Sequence, residues 1–252
     1  MKEQLHAEYL EEQKSKFGGM GLRTGTRHAI ITGAEKGNIG GAIADELSPI
    51  GIISMPTFDV TDASRCQAYM ETNRDADVLV MSHGLTGMEW FEKMDHTLAA
   101  RIMEVNLLGS FYMAQAFVRA TLGTQYRKTI VSIGSMAHNH VLNASSAYCA
   151  SKAGLAHLIR CLGWELTAKG YNVVSVHPSN TDGTPMTMDT IKGIAMYREI
   201  SLKEAAQYWA SINLMDRWLL PDDIGEVVKW LCTTESAAYL SGSQIELPGG
   251  QR

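Results

Sequence analysis

Short apolar runs alternate with longer amphipathic segments along most of this chain. The runs are continuous, which is typical of parallel strands buried on both faces. They lie at residues 28–32, 77–81, 129–133, 171–176 and 242–247. Helical periodicity occupies the stretches between them, at residues 42–47, 62–74, 96–121, 144–168 and 222–233. Strands that alternate with helices, without internal repeats, predict one α/β domain with a largely parallel, doubly wound sheet and helices on both faces.

The two ends of the predicted domain differ from its middle. Residues 1–26 carry little apolar surface and include the glycine-rich stretch 18–21, so we interpret them as an arm, either frayed or laid on a neighbouring subunit. The domain then spans residues 27–252. Residues 179–215 are rich in methionine and long for a connection, so we expect a lid on the substrate side. Filling irregular gaps is the other use of such methionines.

The segment 50–60 (IGIISMPTFDV) is too short for the usual pattern. Two adjacent parallel strands need a crossover of about a dozen residues or more. This segment has room for one strand, or for two strands broken at Pro56 without a crossover helix. The sequence therefore predicts that the region of the second and third strands is shortened.

Composition and charge exclude several classes of protein. The formal charge of −5 and the absence of a Lys/Arg run argue against binding to nucleic acid. No apolar stretch approaches ~18 residues, so we expect no membrane span, and the charged N-terminus lacks a signal-peptide core. The four cysteines show no C-x-x-C spacing, so we expect reduced thiols in a cytoplasmic protein and no metal site.

Glycines follow the first strand directly, in the stretch Thr32-Gly33-Ala-Glu-Lys36-Gly37-Asn38-Ile39-Gly40-Gly41, and a helix comes next. Glycines permit a tight turn and close approach of a ligand, and the helix N-terminus offers N–H groups to a pyrophosphate. We therefore favour a dinucleotide site over a simple turn.

Asp59 stands 19 residues after Gly40, near the offset at which an acidic residue binds ribose hydroxyls in a dinucleotide fold. It also suits the cap of the helix that follows. Both roles are compatible.

Tyr148 and Lys152 are four residues apart, so a helix places both on one face. An ammonium near a phenol favours the phenolate, and we expect Lys152 to lower the pKa of Tyr148 for general acid–base work. Ser135 lies just past the strand 129–133, at the carboxyl edge where open α/β sheets bind ligands.

Residues 28–250 together resemble the short-chain dehydrogenase/reductases, in the branch of about 250 residues. The resemblance rests on motifs in the family's order, namely the glycine turn, Asp59-Val60, Gly84, Asn106 in VNLLG, Ser135 thirteen residues before Tyr148, Lys152, Pro178 with Thr184-Pro-Met186, and the closing SGSQIELPGG. It implies an NAD(P)-dependent oxidoreductase that interconverts an alcohol and a carbonyl compound.

The resemblance also implies roles for individual residues. Tyr148 would be the general acid or base, and Lys152 would lower its pKa and bind the nicotinamide ribose. Ser135 would bind the substrate oxygen. Asn106 would hold a water that links Lys152 to solvent. The residues implied to bind the cofactor are Gly33, Lys36, Asn38, Ile39, Asp59, Val60, Gly84, Tyr148, Lys152, Pro178 and Thr181.

Three departures from the family's pattern concern the cofactor side. The glycine turn is one residue longer than usual, Met81-Ser-His-Gly84 replaces Asn-Asn-Ala-Gly, and the shortened segment 50–60 removes the turn that normally distinguishes NAD from NADP. Lys36 is typical of members that prefer NADP. If a single strand ended at Asp59, its carboxylate would repel a 2′-phosphate. The balance favours NAD(H).

Substrate and assembly are less constrained. Polar residues after Ser135 and after Pro178 indicate a small polar substrate, or are ordinary turn residues. Members of the family are commonly dimers or tetramers, so we expect a homo-oligomer, with a homotetramer as one form. Two alternatives stay open. One is a non-catalytic nucleotide-binding or regulatory protein on the same fold, and the other is lyase or epimerase chemistry with the same four residues.

Overall fold

The computed structural model of this protein describes residues 4–5, 20–212, 214–215 and 217–250. In this part of the chain, parallel strands form one sheet in the order β2-β1-β3-β4-β5-β6. The strands are β1 (Arg27–Thr32), β2 (Gly51–Ser54), β3 (Val78–Met81), β4 (Lys128–Ile133), β5 (Tyr171–Pro178) and β6 (Gln244–Leu247). The predicted doubly wound parallel sheet is confirmed.

Helices cover both faces of the sheet. They are α1 (Ile39–Leu47), α2 (Ala63–Glu71), α3 (His96–Met103), α4 (Ser110–Thr121), α5 (Ser146–Leu166), α6 (Pro185–Arg198), α7 (Leu202–Ser211) and α8 (Pro221–Thr233). Helices α2, α4 and α5 bury apolar side chains such as Phe117 and Ile159 against one face. Helices α1 and α8 bury Leu47 and Val228 against the other face. Because the strands are buried on both faces, their sequences are continuously apolar.

The strand β2 stands alone on the outer side of β1. It is four residues long and ends at Ser54, and the next element in the chain is α2, which is capped by Asp62. The predicted shortening is therefore confirmed, and it takes the form of a single strand, which α2 connects to β3. We considered above a strand that ends at Asp59, where the carboxylate would repel a 2′-phosphate. The strand does not end there, because residues 55–58 separate Ser54 from Asp59.

The predicted helix 96–121 is interrupted in its middle. Helices α3 and α4 are joined by a π-helical turn, Glu104–Gly109, which contains Asn106. A π-turn adds a residue to one helical turn and is often found at functional sites. The added residue shifts the helical phase by about one position, but helix continues on both sides without a proline, so the sequence pattern did not reveal it.

Most of the predicted arm, residues 1–26, lies outside the described residues. Its last part runs along the domain, where Gly21 accepts a hydrogen bond from Arg127 N–H at 3.0 Å. Leu22 N–H donates to the Glu235 carboxylate at 2.7 Å. Among the helices of the described ranges, none has the length and apolar character needed to cross a bilayer.

Candidate active site

Tyr148 and Lys152 lie one turn apart near the start of α5. Both are buried, with relative exposures of 9% and 4%. The Lys152 ammonium donates to the backbone oxygen of Ile133 at 3.1 Å and lies 5.8 Å from the centroid of the Tyr148 ring. Because Ile133 is the last residue of β4, this bond holds the lysine at the carboxyl edge of the sheet, where the sequence predicted the site.

Burial dominates the ionisation of this pair. It lowers the pKa of the Lys152 ammonium to about 8, because the charged form loses hydration. It also raises the pKa of the Tyr148 phenol, while a hydrogen bond with the Ser135 side chain acts in the opposite direction. The expectation that Lys152 lowers the pKa of the phenol is wrong for the protein alone. The ammonium is directed at Ile133 and not at the phenol oxygen.

Ser135 follows β4 and begins a short 3-10 turn, Met136–His138. Its hydroxyl accepts from Ala137 N–H at 3.2 Å and also interacts with the Tyr148 phenol. Its backbone is held by His177, whose Nδ1 lies 3.3 Å from Ser135 N and 3.0 Å from Ser135 O. The serine is therefore fixed by hydrogen bonds on both its side chain and its backbone.

His177 is a residue whose role the sequence did not reveal. It ends β5 beside Pro178, and its Nε2 lies 2.6 Å from Gln244 Oε1 on β6. Burial lowers the pKa of His177 to about 4, so the ring is neutral at neutral pH. Gly134, the residue before Ser135, packs closely against the His177 ring, so that a Cβ at position 134 would collide with Nδ1. The only available signal was a histidine at a strand end.

Asn106 joins three elements through its side chain. Its Oδ1 accepts from Leu85 N–H at 2.7 Å, and its Nδ2 donates to Leu85 O and to Ser151 Oγ, each at 2.9 Å. A Cβ built on Gly84 would lie 3.5 Å from Asn106 Oδ1 and 3.7 Å from Lys152 Nζ. The structure thus brings Gly84, Asn106 and Lys152 together. The water-holding role of Asn106 stays a prediction.

The glycine turn is tightly packed against its own backbone. A Cβ at Gly40 would collide with Gly33 O, and one at Gly41 would collide with Glu35 O, so only glycine fits. Asn38 braces the turn, because its Oδ1 accepts from Gly41 N–H at 2.8 Å and its Nδ2 donates to Gly33 O at 3.0 Å. The extra residue of the turn is accommodated by this side chain.

These features fit a dinucleotide, which the turn would hold against the N-terminus of α1. Ile39 is the first residue of that helix, as the predicted site requires. Lys36 lies exposed at the tip of the turn.

Asp59 is already bound within the protein. Its carboxylate accepts from Thr61 N–H at 3.0 Å and from Arg101 Nη2 at 2.6 Å. The backbone hydrogen bond of Thr61, followed by that of Arg101, lowers the pKa of Asp59 to about 2. Val60 is buried and packs on Gly109 of the π-turn. Cofactor contacts of both residues remain predictions.

Pro178 and Thr181 lie where β5 passes into the predicted lid. Thr181 pairs with Leu219 in an isolated bridge, and its carbonyl accepts from Thr187 Oγ1 of α6 at 2.6 Å. The segment for which we predicted a lid contains α6 and α7. Its α6 packs against the loop after β3, where Trp90 and Tyr197 meet edge to face at 6.0 Å.

His83 connects the glycine turn to α4. Its Nδ1 lies 2.5 Å from Thr32 Oγ1, and its Nε2 lies 3.1 Å from Ser110 Oγ. Burial, followed by the charge of Lys152, lowers the pKa of His83 to about 3. The sequence marked this position as a departure from the family's pattern but did not reveal its partners.

A cavity of about 580 Å³ lies between α5 and β6. His138, Arg160 and Glu246 contribute to its lining. None of Ser135, Tyr148 and Lys152 lines it, so this cavity is beside the candidate active site and not part of it.

Comparison with known proteins shows the family of this chain. The family model for short chain dehydrogenases matches residues 52–194, which is more than half of the chain. This protein belongs to the short-chain dehydrogenase/reductase family and is an NAD(P)-dependent enzyme of that family.

Two relatives illustrate the range of the similarity. The chain is 29% identical to a D-arabinitol 2-dehydrogenase (ribulose-forming) of Scheffersomyces stipitis over 214 residues, which cover 82% of this chain and 73% of the relative. It is 26% identical to the 3-oxoacyl-(acyl-carrier-protein) reductase FabG of Rickettsia bellii over 246 residues, which cover 88% and 95% of the two chains.

A solved structure supports the fold. A variant of actinorhodin polyketide ketoreductase with NADPH superposes with a TM-score of 0.81 at 24% identity, covering 89% of this chain and 97% of that chain.

Proposed function

We propose that this enzyme interconverts an alcohol and a carbonyl compound with Tyr148 as the general acid and base. The observation that carries the proposal is the buried group at the carboxyl edge of the sheet. There the Ser135 side chain binds the Tyr148 phenol, and Lys152 Nζ lies 5.8 Å from the centroid of the Tyr148 ring. Such a group has the parts that proton transfer to a carbonyl oxygen needs.

The dinucleotide, when bound, supplies or accepts the hydride at the carbonyl carbon. In reduction, Tyr148 donates its phenol proton to the carbonyl oxygen, and the product is the alcohol. Ser135 donates a hydrogen bond to the same oxygen as negative charge develops there. Lys152, with its pKa of about 8, exchanges protons close to neutral pH and restores the proton of Tyr148. In oxidation, the same proton moves in the opposite direction.

The Tyr148→Phe variant tests this proposal. A general acid contributes about 10²–10⁴-fold, so we expect turnover to fall by that factor while the affinity for NADH, measured from nicotinamide fluorescence, is retained. Tyr239→Phe is the matched control, because Tyr239 is 93% exposed. Unchanged turnover in Tyr148→Phe would contradict the proposal. Absence of binding of either NADH or NADPH would favour a non-catalytic protein, and product analysis would detect lyase or epimerase chemistry.

For the substrate we propose a small polar carbonyl compound or alcohol of the polyol class. The support comes from the relatives named as D-arabinitol 2-dehydrogenases. The polar loop after Ser135 gives little support to a polar substrate, because its side chains already bind within the protein. Asn139 donates to Glu246 at 2.7 Å, and His140 Nδ1 lies 2.6 Å from Asn139 Oδ1. Reduction of D-ribulose should exceed that of a 3-oxoacyl thioester. The reverse order would replace this class by the one that the FabG relative indicates.

For the cofactor we propose NAD(H). The support is the ionised Asp59, with its pKa of about 2, on the side of the sheet that would receive the adenosine. Lys36 and Arg101 oppose this preference, because each offers a positive charge to a 2′-phosphate. Parallel titrations with NADH and NADPH decide between them, and tighter binding of NADPH would reverse the assignment.

We further propose a homo-oligomer, a dimer or tetramer, in the cytoplasm. Trp164 on α5 is 91% exposed and Phe111 on α4 is 39% exposed, which supports a covered surface on these helices. The free thiols of all four cysteines support a reducing compartment. Light scattering of the purified protein tests the assembly, and a monomeric mass would contradict it.

A further inference from the structure

His83 is placed at a junction between the two halves of the candidate active site. It follows β3, and its backbone packs directly on the glycine turn. A Cβ built on Gly33, which has φ +64°, would lie 2.7 Å from His83 Cα. On the other side, the residue after His83 is Gly84, which lies close to Asn106 and Lys152. A side chain at this position can therefore touch both the cofactor side and the catalytic side.

The imidazole of His83 forms one continuous set of hydrogen bonds. Ser110 Oγ donates to Asn106 O at 3.0 Å, so its lone pair is free to accept from His83 Nε2–H at 3.1 Å, and the backbone oxygen of Val105 is a second acceptor for the ring. The ring is neutral, so Nδ1 carries a lone pair and accepts from Thr32 Oγ1 at 2.5 Å. This tautomer is assigned from the partners on both sides. The bonds run from Thr32, before the glycine turn, to the backbone of Asn106.

We propose that His83 is a positioning residue that couples the glycine turn to the Asn106 turn. Its Nδ1 fixes Thr32 and hence the turn that holds the pyrophosphate. Its Nε2 fixes Ser110 and hence the π-turn, from which Asn106 holds the backbone of Leu85. Leu85 follows Gly84, which lies close to Lys152. The inference rests on the proposed function of this site and adds the residue that aligns its two halves. His83 does not itself exchange a proton with substrate.

The two nitrogens can be separated by substitution. The amide oxygen of an asparagine stands near the position of Nδ1, so His83→Asn keeps an acceptor for Thr32 and loses the bond to Ser110. The amide nitrogen of a glutamine stands near the position of Nε2, so His83→Gln keeps a donor for Ser110 and loses the bond to Thr32. Each variant breaks a different end of the bridge with a side chain of similar polarity.

The expected results differ in kind. A lost hydrogen bond corresponds to about a three- to tenfold effect. In His83→Asn, kcat with D-ribulose should fall by this factor, and by more than the Kd for NADH rises. In His83→Gln, the Kd for NADH should rise by this factor, and by more than kcat falls. Ser110→Ala should have a smaller effect in the His83→Asn background than in the wild type, and Thr32→Val should have a smaller effect in the His83→Gln background than in the wild type.

A readout without turnover keeps the two proposals separate. The Leu85 amide donates to Asn106 at 2.7 Å, so its hydrogen exchange reports the position of Asn106. It should be faster in His83→Asn than in His83→Gln. If the wild-type protein binds NADH but reduces no carbonyl compound, the proposed function fails, whereas the exchange rates and Kd values still test His83. His96→Gln, at an exposed histidine of α3, is the matched control.

Three outcomes would overturn the coupling role. They are equal changes of kcat and Kd in both variants, additive effects of the second substitutions, and a lowered unfolding temperature with kcat, Kd and Leu85 exchange all unchanged. The last of these would make His83 a purely structural residue.

Discussion

At the scale of single residues, burial controls the chemistry of this site more than charge pairing does. Tyr148 and Lys152 share a helix face, as their spacing predicts. Desolvation nevertheless raises the pKa of the phenol and lowers that of the ammonium to about 8. Burial cannot be inferred from a four-residue spacing, and it gives Lys152 a measurable effect on stability.

Lys152→Met tests this effect through the pH dependence of unfolding. The unfolded lysine keeps its ordinary pKa of 10.5, and the folded one has a pKa of about 8. Between these values the unfolded state binds more protons, so this group makes the wild-type protein more stable as the pH rises. Below pH 8 the full penalty of about 3 kcal/mol is present. The free energy of unfolding of the variant, minus that of the wild type, should therefore decrease between pH 8 and 10.5. A difference that is constant with pH would contradict the lowered pKa.

The histidines mark the limit of sequence-based inference at this scale. Ser135, Tyr148, Lys152 and Asn106 were predicted because a family pattern carries them, and the structure brings them to one edge. His177 and His83 act through partners far apart in the sequence, such as Gln244 and Ser110. Those partners become neighbours only when the sheet forms, so no local spacing indicates them.

At the scale of elements, the π-turn between α3 and α4 is the feature that aligns the site. It places Asn106 where one amide binds both backbone groups of Leu85 and the hydroxyl of Ser151. The loop after β3, the long helix pair and α5 are thereby joined at a single buried side chain. The sequence predicted the helices and strands around it correctly, but it did not reveal the π-turn, because helix continues on both sides of it without a proline.

The Asn106→Leu variant should separate the effect of the Asn106 hydrogen bonds from that of its packing. Leucine has nearly the shape of asparagine but leaves both backbone groups of Leu85 without their partner, while Ser151 Oγ keeps its bond to Tyr148 O at 2.7 Å. Each unsatisfied buried group costs about 1–3 kcal/mol, so the free energy of unfolding in urea should fall by several kcal/mol in total. Turnover should fall at least tenfold, since Gly84, the neighbour of Leu85, lies close to Lys152. Wild-type turnover in a folded Asn106→Leu protein would show that the hydrogen bonds of Asn106 have no part in catalysis.

At the scale of the whole molecule, the carboxyl ends and the amino ends of the strands have different functions. The carboxyl edge carries the glycine turn, Ser135 and Lys152. The opposite edge carries a buried ion pair, in which Lys128 Nζ lies 3.0 Å from Asp77 Oδ1 with side-chain exposures of 2% and 0%. This pair joins the start of β4 to the residue before β3, far from the proposed chemistry.

Lys128→Met should therefore affect stability and leave the catalytic constants unchanged. Removing one partner of a buried pair costs up to about 3–5 kcal/mol. The loss here should lie at the low end of that range or below it, because Asp77 keeps Arg23 Nε at 3.5 Å and the His28 N–H at 3.3 Å. Denaturant unfolding should show this loss, while kcat and KM of the folded fraction match those of the wild type. The double variant Asp77→Leu/Lys128→Met should recover part of the loss. A changed KM would indicate that this edge communicates with the site.

Because β2 is the single strand outside β1, the two halves of the cofactor should contribute unequally to its binding. In the doubly wound order, each half of a dinucleotide lies over one half of the sheet, and three strands usually support the adenosine half. Here only β1 and β2 do so, and β2 is four residues long. We expect the nicotinamide half to carry an unusually large share of the recognition.

Reduced nicotinamide mononucleotide, which lacks the adenosine half altogether, should then bind less than about tenfold more weakly than NADH, a difference of about 1.4 kcal/mol. Fluorescence titration with both compounds measures this ratio, and a loss of several hundredfold would contradict it. An enzyme with one strand fewer on the adenosine side of its sheet would in that case bind the nicotinamide mononucleotide without the adenosine half.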